Sequence, residues 1–173
     1  NNGMRAAPVY VSSISDSNGN VISEFNTTHT EVISETAYAK ILSMLMNVVD
    51  GGTGNRVRRA PYNITAQMGG KTGTTNYNAD GWFMGFTPDL VSGVWVGGEE
   101  RYIHFNTMAH GQGAAMALPI YGLYMSKVYA DPTLPYSQNS TFNVDFSHLC
   151  DKEFYDYVEE SDTVEESISD VFD

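Results

Sequence analysis

Three short β-like segments follow one another closely in the middle of this chain, at residues 65–74, 80–86 and 90–96. The two connections between them, residues 75–79 and 87–89, are short and turn-like. Parallel strands would need a crossover of roughly a dozen residues or more, so neither connection can join parallel neighbours. The spacing therefore predicts a three-stranded antiparallel sheet.

A helix is predicted before this sheet, with Ser34 as its N-cap and the glycine pair at 51–52 as its terminator. Its apolar residues recur at the three- and four-residue spacing of one helix face: Tyr38, Ile41, Leu42, Leu45, Val48 and Val49. Methionines at Met44, Met46 and, further along, Met68 could form a soft binding surface or fill a core. Core filling is the commoner use, and we expect it here.

The remaining predicted elements are a second helix and an N-terminal hairpin. The helix covers residues 114–129, although Pro119 and Gly122 weaken its first half. Residues 8–14 and 21–25 have extended character and flank an Asn-Gly turn, which is typical of a hairpin. A calcium-binding EF-hand loop needs a longer series of carboxylates ending in Glu, so we favour the turn. The fold class is therefore α+β, with antiparallel strands packed against helices.

The net charge of −12 argues against a nucleic-acid partner, because a phosphate backbone attracts basic proteins. Much of this charge lies at the C-terminal end, where residues 151–173 hold ten carboxylates and one lysine. We therefore divide the chain into a domain over residues 1–130 and an irregular acidic tail over residues 131–173.

Other features of the sequence exclude several kinds of site. A single cysteine, Cys150, rules out an internal disulfide and a multi-cysteine zinc cage. The histidines lack paired ligand spacing, so no metal site is expected. No apolar run approaches the roughly eighteen residues of a transmembrane helix. Because the sequence begins with Asn1 rather than Met, we expect it to lie inside a longer protein.

The segment from Met68 to Thr75, Met-Gly-Gly-Lys-Thr-Gly-Thr-Thr, combines a lysine, hydroxyls and flexible backbone in a β-like context. Gly-Lys-Thr also occurs in phosphate-binding loops. Those loops require a glycine where this sequence has Thr65, and a helix directly after the lysine. Here Lys71 is followed by Gly73 and further strand-like residues, so we reject a nucleotide-binding loop.

A longer set of motifs occurs in order around this segment. These are Gly-Thr-Gly at 52–54, Gly-Lys-Thr-Gly-Thr-Thr-Asn at 70–76, Asp-Gly-Trp-Phe-Met-Gly-Phe-Thr-Pro at 80–88, Val-Trp-Val-Gly at 94–97 and Ala-Leu-Pro-Ile-Tyr at 117–121. Together they resemble the transpeptidase domain of class A penicillin-binding proteins, the bifunctional enzymes that build bacterial peptidoglycan. The resemblance covers residues 1–130 and implies the C-terminal half of a penicillin-recognising transpeptidase fold.

The resemblance also implies roles for individual residues. The donor peptide of the family ends in D-alanyl-D-alanine, whose carboxylate Thr72 and Thr74 would bind by hydrogen bonds. Gly73 and Thr75 would complete the substrate-binding strand, Gly73 by letting substrate backbone lie close. As catalytic residues, Lys71 would supply positive potential and assist proton transfer, and the backbone N–H of Thr74 would form half of the oxyanion hole.

The nucleophile motif of the family, Ser-x-x-Lys, does not occur in this sequence. The positions three before Lys40, Lys71, Lys127 and Lys152 hold Ala, Met, Tyr and Leu. The Ser-x-Asn at 137–139 follows Lys-Thr-Gly, whereas the family places this motif before it. We therefore expect part of a peptidoglycan serine D,D-transpeptidase that is inactive alone and needs the missing N-terminal half of its domain.

For the parent protein, the resemblance implies peptidoglycan stem peptides and β-lactams as ligands, and no cofactor. It implies a membrane anchor and a glycosyltransferase domain outside this chain, which place the site on the outer, periplasmic face of the cytoplasmic membrane. One alternative is a non-catalytic module that kept the scaffold and binds stem peptides or a protein. A second is a β-lactamase or carboxypeptidase, which the Lys-Thr-Gly-Thr-Thr-Asn and Trp-Phe-x-Gly runs disfavour.

Two further expectations concern the sheet. Four aromatic side chains are expected to pack in its core: Trp82, Phe83, Phe86 and Trp95. Asp80 is expected to fix the turn before its strand. In the family, the strand at residues 90–96 pairs with one that precedes the nucleophile motif. Its edge would be unpaired here, so we expect self-association through it, or cover by the tail or the N-terminal hairpin.

Overall fold

The computed structural model describes residues 2–146, which form two compact units. One is built mainly from residues 2–39, and the other spans Lys40–Val144. The fold is mixed α+β with antiparallel sheets, as predicted. Most of the predicted acidic tail, residues 147–173, lies outside the described residues, and its described part, residues 131–146, contains no helix or strand.

Four short strands make up the N-terminal unit. Strand β1 (Met4–Ala6) pairs antiparallel with β4 (His29–Glu31), and β2 (Ser13–Ser15) pairs with β3 (Val21–Glu24). The predicted hairpin is confirmed, but its first strand begins later than the predicted residues 8–14. The outer β1–β4 pair was not predicted, because its three-residue strands are too short to show a period-two pattern.

The turn of this hairpin is organised by Asp16. Its carboxylate accepts hydrogen bonds from the backbone N–H groups of Asn18 and Asn20, at 2.8 and 2.9 Å. The side-chain amide of Asn20 donates to the same carboxylate, and these bonds lower the pKa of Asp16 below its usual value. Gly19 has a φ of 88°, a left-handed conformation that favours glycine.

Helix α1 (Glu35–Asp50) begins and ends where the sequence predicts. The hydroxyl of Ser34 accepts the backbone N–H of Ala37 at 3.3 Å, as an N-cap does. The core prediction is confirmed for Met68, which is fully buried, and is wrong for Met44, which is 60% exposed, while Met46 is half-buried. Position 44 fails because it lies on the face of α1 opposite the buried residues of that helix.

The second unit is organised around one antiparallel sheet with the order β5-β6-β7. Its strands are β5 (Gly69–Thr74), β6 (Asp80–Phe86) and β7 (Val91–Gly97). The predicted sheet is confirmed, although β5 begins four residues later than expected. Residues 65–68 lie outside the ladder, and the first backbone N–H of this stretch donates to the side chain of Gln138 at 2.8 Å instead.

Two helices follow the sheet, the short α2 (Met108–Gly111) and the long α3 (Gly113–Ala130). The second predicted helix is confirmed, and Pro119 lies inside α3 without ending it. The residues of α3 that join the core are fully or nearly fully buried: Ala117, Leu118, Tyr121 and Met125. Because this packing stabilises the helix against the sheet, it outweighs the weak helix propensity of proline.

The core lies between α3 and one face of the sheet. Phe83 of β6 and Tyr121 of α3 are in edge-to-face contact, with ring centroids 4.7 Å apart. A Cβ at Gly85 would overlap the Tyr121 ring, so only glycine lets the helix approach the strand this closely. The core contains, in addition, Val49, Val57, Ile64, Ala66, Met68, Ala117, Leu118 and Met125.

The face of the sheet opposite α3 is largely open to solvent, and we call it the outer face. Along β6, Trp82 and Met84 alternate with the buried Phe83 and so point to this face. The core prediction is therefore confirmed for Phe83 but wrong for Trp82 and Trp95, which are 44% and 49% exposed. Phe86 is half-buried, with its ring against that of Phe142.

Candidate functional site

Strand β5 carries the Lys-Thr-Gly-Thr sequence on an edge of the three-stranded sheet. It pairs with β6 on one side, and within residues 2–146 no strand pairs with its other side. Gly69 and Gly70 are buried, and the side chains of Lys71 and Thr74 are exposed. The strand therefore passes from the core to solvent, so its second half offers a free edge to an extended ligand.

The predicted site residues lie on both faces of this edge. In the ladder, Thr72 is opposite Phe83 and thus on the α3 side, and Thr74 shares that side by the two-residue alternation. Lys71 is opposite Met84 and lies on the outer face. The structure therefore brings the lysine and both threonines to one edge but not to one face.

The hydroxyl of Thr72 contacts a residue from the turn after α1. Its Oγ1 lies 3.0 Å from Oγ1 of Thr53, and either hydroxyl can donate in this bond. Thr53 belongs to the Gly-Thr-Gly at 52–54, where the backbone N–H of Gly54 donates to the carbonyl of Val48 at 2.8 Å. The turn is thus tied to the last turn of α1, which fixes the position of Thr53.

The hydroxyl of Thr74 contacts the first residue of α3. Its Oγ1 accepts the backbone N–H of Gly113 at 3.0 Å. A Cβ at Gly113 would overlap the carbonyl oxygens of Gly73 and Trp82, so the helix can begin against the sheet only with glycine at this position. Thr74 is therefore held from outside its own strand, as Thr72 is.

Thr75 belongs to the turn that follows β5. The backbone N–H of Asp80 donates to Oγ1 of Thr75 at 2.8 Å, and that hydroxyl lies 3.1 Å from Oδ2 of Asp80. The indole N–H of Trp95 donates to the other carboxylate oxygen at 3.0 Å. Asp80 therefore fixes the turn as predicted, and the hydroxyl of Thr75 is engaged in that turn.

The ammonium group of Lys71 lies at the solvent-exposed side of the edge. It donates to the backbone carbonyl of Thr72 at 2.9 Å and, among residues 2–146, forms no ion pair. A charge without a neutralising carboxylate attracts anions more strongly than one held in a salt bridge. The edge of β5 thus combines one cation with two hydroxyls, which suits a carboxylate ligand.

Within its own residues, the described part of the chain holds neither a metal-binding cluster nor a helix that could span a membrane. There, no three side chains of His, Cys, Asp or Glu come close enough to hold a metal ion. None of the helices between residues 2 and 146 is both long enough and apolar enough to cross a membrane.

An antiparallel α+β core with Lys-Thr-Gly-Thr on a free edge strand defines a protein of the penicillin-recognising transpeptidase class. The family model for the penicillin-binding protein transpeptidase domain matches residues 1–101. The chain belongs to this family, and the resemblance predicted from its motifs is confirmed.

Curated relatives agree with this assignment, and a solved structure shares the fold. The chain is 33% identical over 161 residues to penicillin-binding protein 1A of Rickettsia bellii, covering 79% of this chain and 19% of the relative. It is 37% identical over 128 residues to penicillin-binding protein 1A of Aquifex aeolicus, covering 74% and 17%. The crystal structure of penicillin-binding protein 1A from Haemophilus influenzae has the same fold, with a TM-score of 0.61 and 21% identity over 78% of this chain and 25% of that one. The chain thus spans about a fifth of the length of these curated relatives.

Two groups at the edge of β5 were not assigned a role from the sequence. Thr53 is 19 positions from its partner Thr72, and the backbone N–H of Gly113 is 39 positions from Thr74. The Gly-Thr-Gly motif at 52–54 includes Thr53, but the motif does not indicate the contact of Thr53 with Thr72. A backbone donor leaves no signal in the sequence beyond the glycine that permits the close approach.

Proposed function

We propose that this chain supplies the substrate-binding strand of a serine D,D-transpeptidase of the class A penicillin-binding proteins. The observation that carries the proposal is the edge of β5, where the hydroxyls of Thr72 and Thr74 and the ammonium of Lys71 surround one accessible segment of backbone. A peptide that pairs with this edge brings its terminal carboxylate to the strand that carries the two hydroxyls on one face and the ammonium on the other.

In the proposed complex, each group has a separate role. The hydroxyls of Thr72 and Thr74 donate to the carboxylate of a D-alanyl-D-alanine terminus or of a β-lactam. Gly73, between them, leaves room for the substrate backbone. The backbone N–H of Thr74 stabilises the oxyanion that forms on the attacked carbonyl, and Lys71 adds positive potential and assists the transfer of the serine proton.

The proposed reaction has two steps. A serine from outside this chain attacks the penultimate carbonyl, forming an ester while the amide C–N bond breaks and D-alanine leaves with the proton. The amine of a neighbouring stem peptide then attacks the ester, forming a new amide and returning a proton to the serine oxygen. The net result is a cross-link between two stem peptides and the release of one D-alanine.

The partner that supplies the serine is proposed to be the N-terminal half of the same domain. The outer face supports this, because large apolar side chains there are open to solvent on the face that carries Lys71: Trp82, Met84, Val91 and Trp95. We propose that the nucleophile-bearing half covers this face. The membrane anchor and the glycosyltransferase domain of the class are proposed to lie outside this chain, with the site in the periplasm.

A non-catalytic module that binds stem peptides or a protein is the second candidate. The observation that favours it is the sequence itself, which has no serine three positions before any lysine. Labelling of the full-length protein with a fluorescent penicillin separates the two candidates. A band that survives denaturation supports the transpeptidase, and its absence from a folded full-length protein supports the module. This chain alone is expected to give no band.

The site assignment is tested by replacing Lys71 in the full-length protein. Lys71→Ala should slow acylation by penicillin about 100- to 1,000-fold, the usual effect of removing one preorganised electrostatic group. Thr72→Val should have a milder effect on carboxylate recognition. Lys127→Ala, an exposed lysine of α3, is the matched control and should acylate at the normal rate. Normal acylation of Lys71→Ala would remove this lysine from the site.

A further inference from the structure

The hydroxyls of Thr72 and Thr74 are both hydrogen-bonded to groups outside β5. The proposed chemistry does not by itself require these two contacts. Each hydroxyl is hydrogen-bonded to a group from a different segment, Thr72 to the turn after α1 and Thr74 to the start of α3. Neither contact runs along the sheet ladder. Whether each hydroxyl donates or accepts in its hydrogen bond determines whether its proton is available to a ligand.

For Thr74, the direction is set by its partner. A threonine hydroxyl has one proton to donate and two positions that accept. The backbone N–H of Gly113 can only donate, so Oγ1 of Thr74 accepts in this bond. The proton of Thr74 is therefore left for another acceptor, and a carboxylate can only accept.

For Thr72, the direction depends on Thr53. If Thr72 donates to Thr53, its single proton is used within the protein and cannot reach a ligand. If Thr53 donates to Thr72, the proton of Thr72 is left for the ligand, as it is at Thr74. A carboxylate at the edge stabilises the second arrangement, in which two aligned hydroxyl dipoles strengthen each other.

We propose that Thr53 is a positioning residue that orients the hydroxyl of Thr72 as a donor to the ligand carboxylate. This inference rests on the proposed function, because it specifies how one group of that site is held. Thr53 does not touch the ligand in this arrangement. It acts through the Oγ1–Oγ1 contact of 3.0 Å.

The turn that carries Thr53 is held firmly enough for this role. Its backbone N–H groups at Gly52 and Gly54 donate to the carbonyls of Asn47 and Val48, at 2.9 and 2.8 Å. A Cβ at Gly54 would lie 3.1 Å from the carbonyl oxygen of Val48, closer than a side chain normally packs. The second glycine therefore lets the turn lie against α1, and Thr53 is presented to β5 at a fixed position.

The test uses the full-length protein with two variants of Thr53 and two probes. Thr53→Val removes the hydroxyl and keeps the shape of the side chain, while Thr53→Ser restores the hydroxyl. The probes are benzylpenicillin and its methyl ester, which lacks the free carboxylate. Thr53→Val should slow acylation by benzylpenicillin about five- to tenfold, the effect of one lost hydrogen bond. Thr53→Ser should remain within about twofold of the wild type.

Two further measurements separate positioning from a structural role. With the methyl ester, Thr53→Val and the wild type should react at equal rates, because no carboxylate needs to be oriented. In a Thr72→Val background, adding Thr53→Val should change nothing, since the two residues act as one unit. A loss that persists with the ester or in the Thr72→Val background would overturn the inference.

Failure of this inference is distinguishable from failure of the proposed function. If Lys71→Ala slows acylation as expected while Thr53→Val reacts normally with benzylpenicillin, the site stands and the role of Thr53 is refuted. If the full-length protein forms no acyl adduct at all, the proposed function fails. In that case, NMR measurements of the weak binding of D-alanyl-D-alanine to the Thr53 variants still test the orientation of Thr72.

Discussion

Tyr121 is a buried residue whose ring and hydroxyl have opposite effects on stability. Its ring fills the space left by Gly85 and packs against Phe83. Its hydroxyl is buried and, among the described residues, has no hydrogen-bond partner. Burial also raises the pKa of this phenol above its usual value, because the charged form is poorly solvated in the core.

Tyr121→Phe is expected to stabilise the protein by about 1 kcal/mol, because it removes an unsatisfied buried hydroxyl and keeps the ring. The raised pKa adds a pH dependence. The folded state holds the phenolic proton to higher pH than the unfolded chain does, so this contribution to stability is complete below about pH 10 and is lost as the pH rises further. Urea unfolding of both proteins at neutral and at alkaline pH measures both effects.

Tyr124→Phe is the matched control, because Tyr124 lies on the same helix with an exposed side chain. It should leave the neutral-pH stability within about 0.5 kcal/mol of the wild type. A Tyr121→Phe variant that is less stable than the wild type at pH 7, or that loses stability in alkali as steeply, would contradict the account of the buried hydroxyl.

For individual residues, the sequence predicted those of the β5 edge but not their hydrogen-bond partners. Lys71, Thr72 and Thr74 were found because their motif is contiguous. The contact of Thr72 with Thr53 depends on how the turn after α1 closes, which a one-dimensional pattern does not encode. The roles assigned to these residues remain predictions.

At the level of secondary-structure elements, one arginine links the end of α1 to the segment before β5. Arg58 donates to Oδ1 of Asp50 at 2.6 and 3.0 Å, and to the carbonyls of Ile64 and Ala66 at 3.1 and 2.6 Å. These bonds join the end of α1 to the segment that leads into β5. A single guanidinium therefore fixes both sides of the loop that presents Thr53.

Arg58→Met is expected to destabilise this chain by about 1 to 3 kcal/mol, because it leaves two part-buried carbonyls without their donors while keeping the apolar stem. Asp50→Asn should cost about 1 kcal/mol or less, since this carboxylate is half exposed. Thermal unfolding measures both variants, with Arg56→Met as the exposed control. Equal effects of Arg58→Met and Arg56→Met would contradict the role given to Arg58.

Elements were predicted best where local pattern and packing agree. The bounds of β6 match the prediction because its alternating residues face a helix on one side and solvent on the other. Strand β5 is shorter than predicted because other hydrogen bonds take the place of the ladder before Gly69: the side-chain oxygen of Gln138 accepts the backbone N–H of Thr65, and that of Gln67 accepts the backbone N–H of Phe142. Such long-range side-chain contacts have no local signature.

For the molecule as a whole, the sheet of the second unit has an open face and a second open edge. Strand β7 pairs with β6 alone in the described part of the chain, so its other side is unpaired there. The adjacent outer face exposes Val91 and Trp95. An unpaired strand next to exposed apolar side chains is a template for pairing with another copy.

The sequence predicts that the β7 edge either mediates self-association or is covered by the tail or the N-terminal hairpin, and we expect self-association for this chain alone. Val91→Lys places a charge on the strand and should weaken association, because a lysine at an edge must be desolvated to pair. Val21→Lys is the matched control, since Val21 is 59% exposed and Val91 is 69% exposed. Sedimentation velocity from about 1 μM to about 1 mM compares the three proteins.

The outcome of that comparison is decisive in either direction. A wild-type chain that remains monomeric throughout, with β7 amides that exchange as fast as those of a loop, would contradict the expectation. Equal weakening by Val91→Lys and Val21→Lys would place the contact elsewhere or make it nonspecific.

The exposure of Trp82 and Trp95 has a spectroscopic consequence. They are the two tryptophans of the whole sequence, and both lie on the outer face with ring centroids 6.4 Å apart. Indole emission moves to shorter wavelength when water is removed from around the ring, and added quenchers then reach it less easily. The intrinsic fluorescence of this protein therefore reports on a single surface. Any molecule that covers the outer face is detectable without a label.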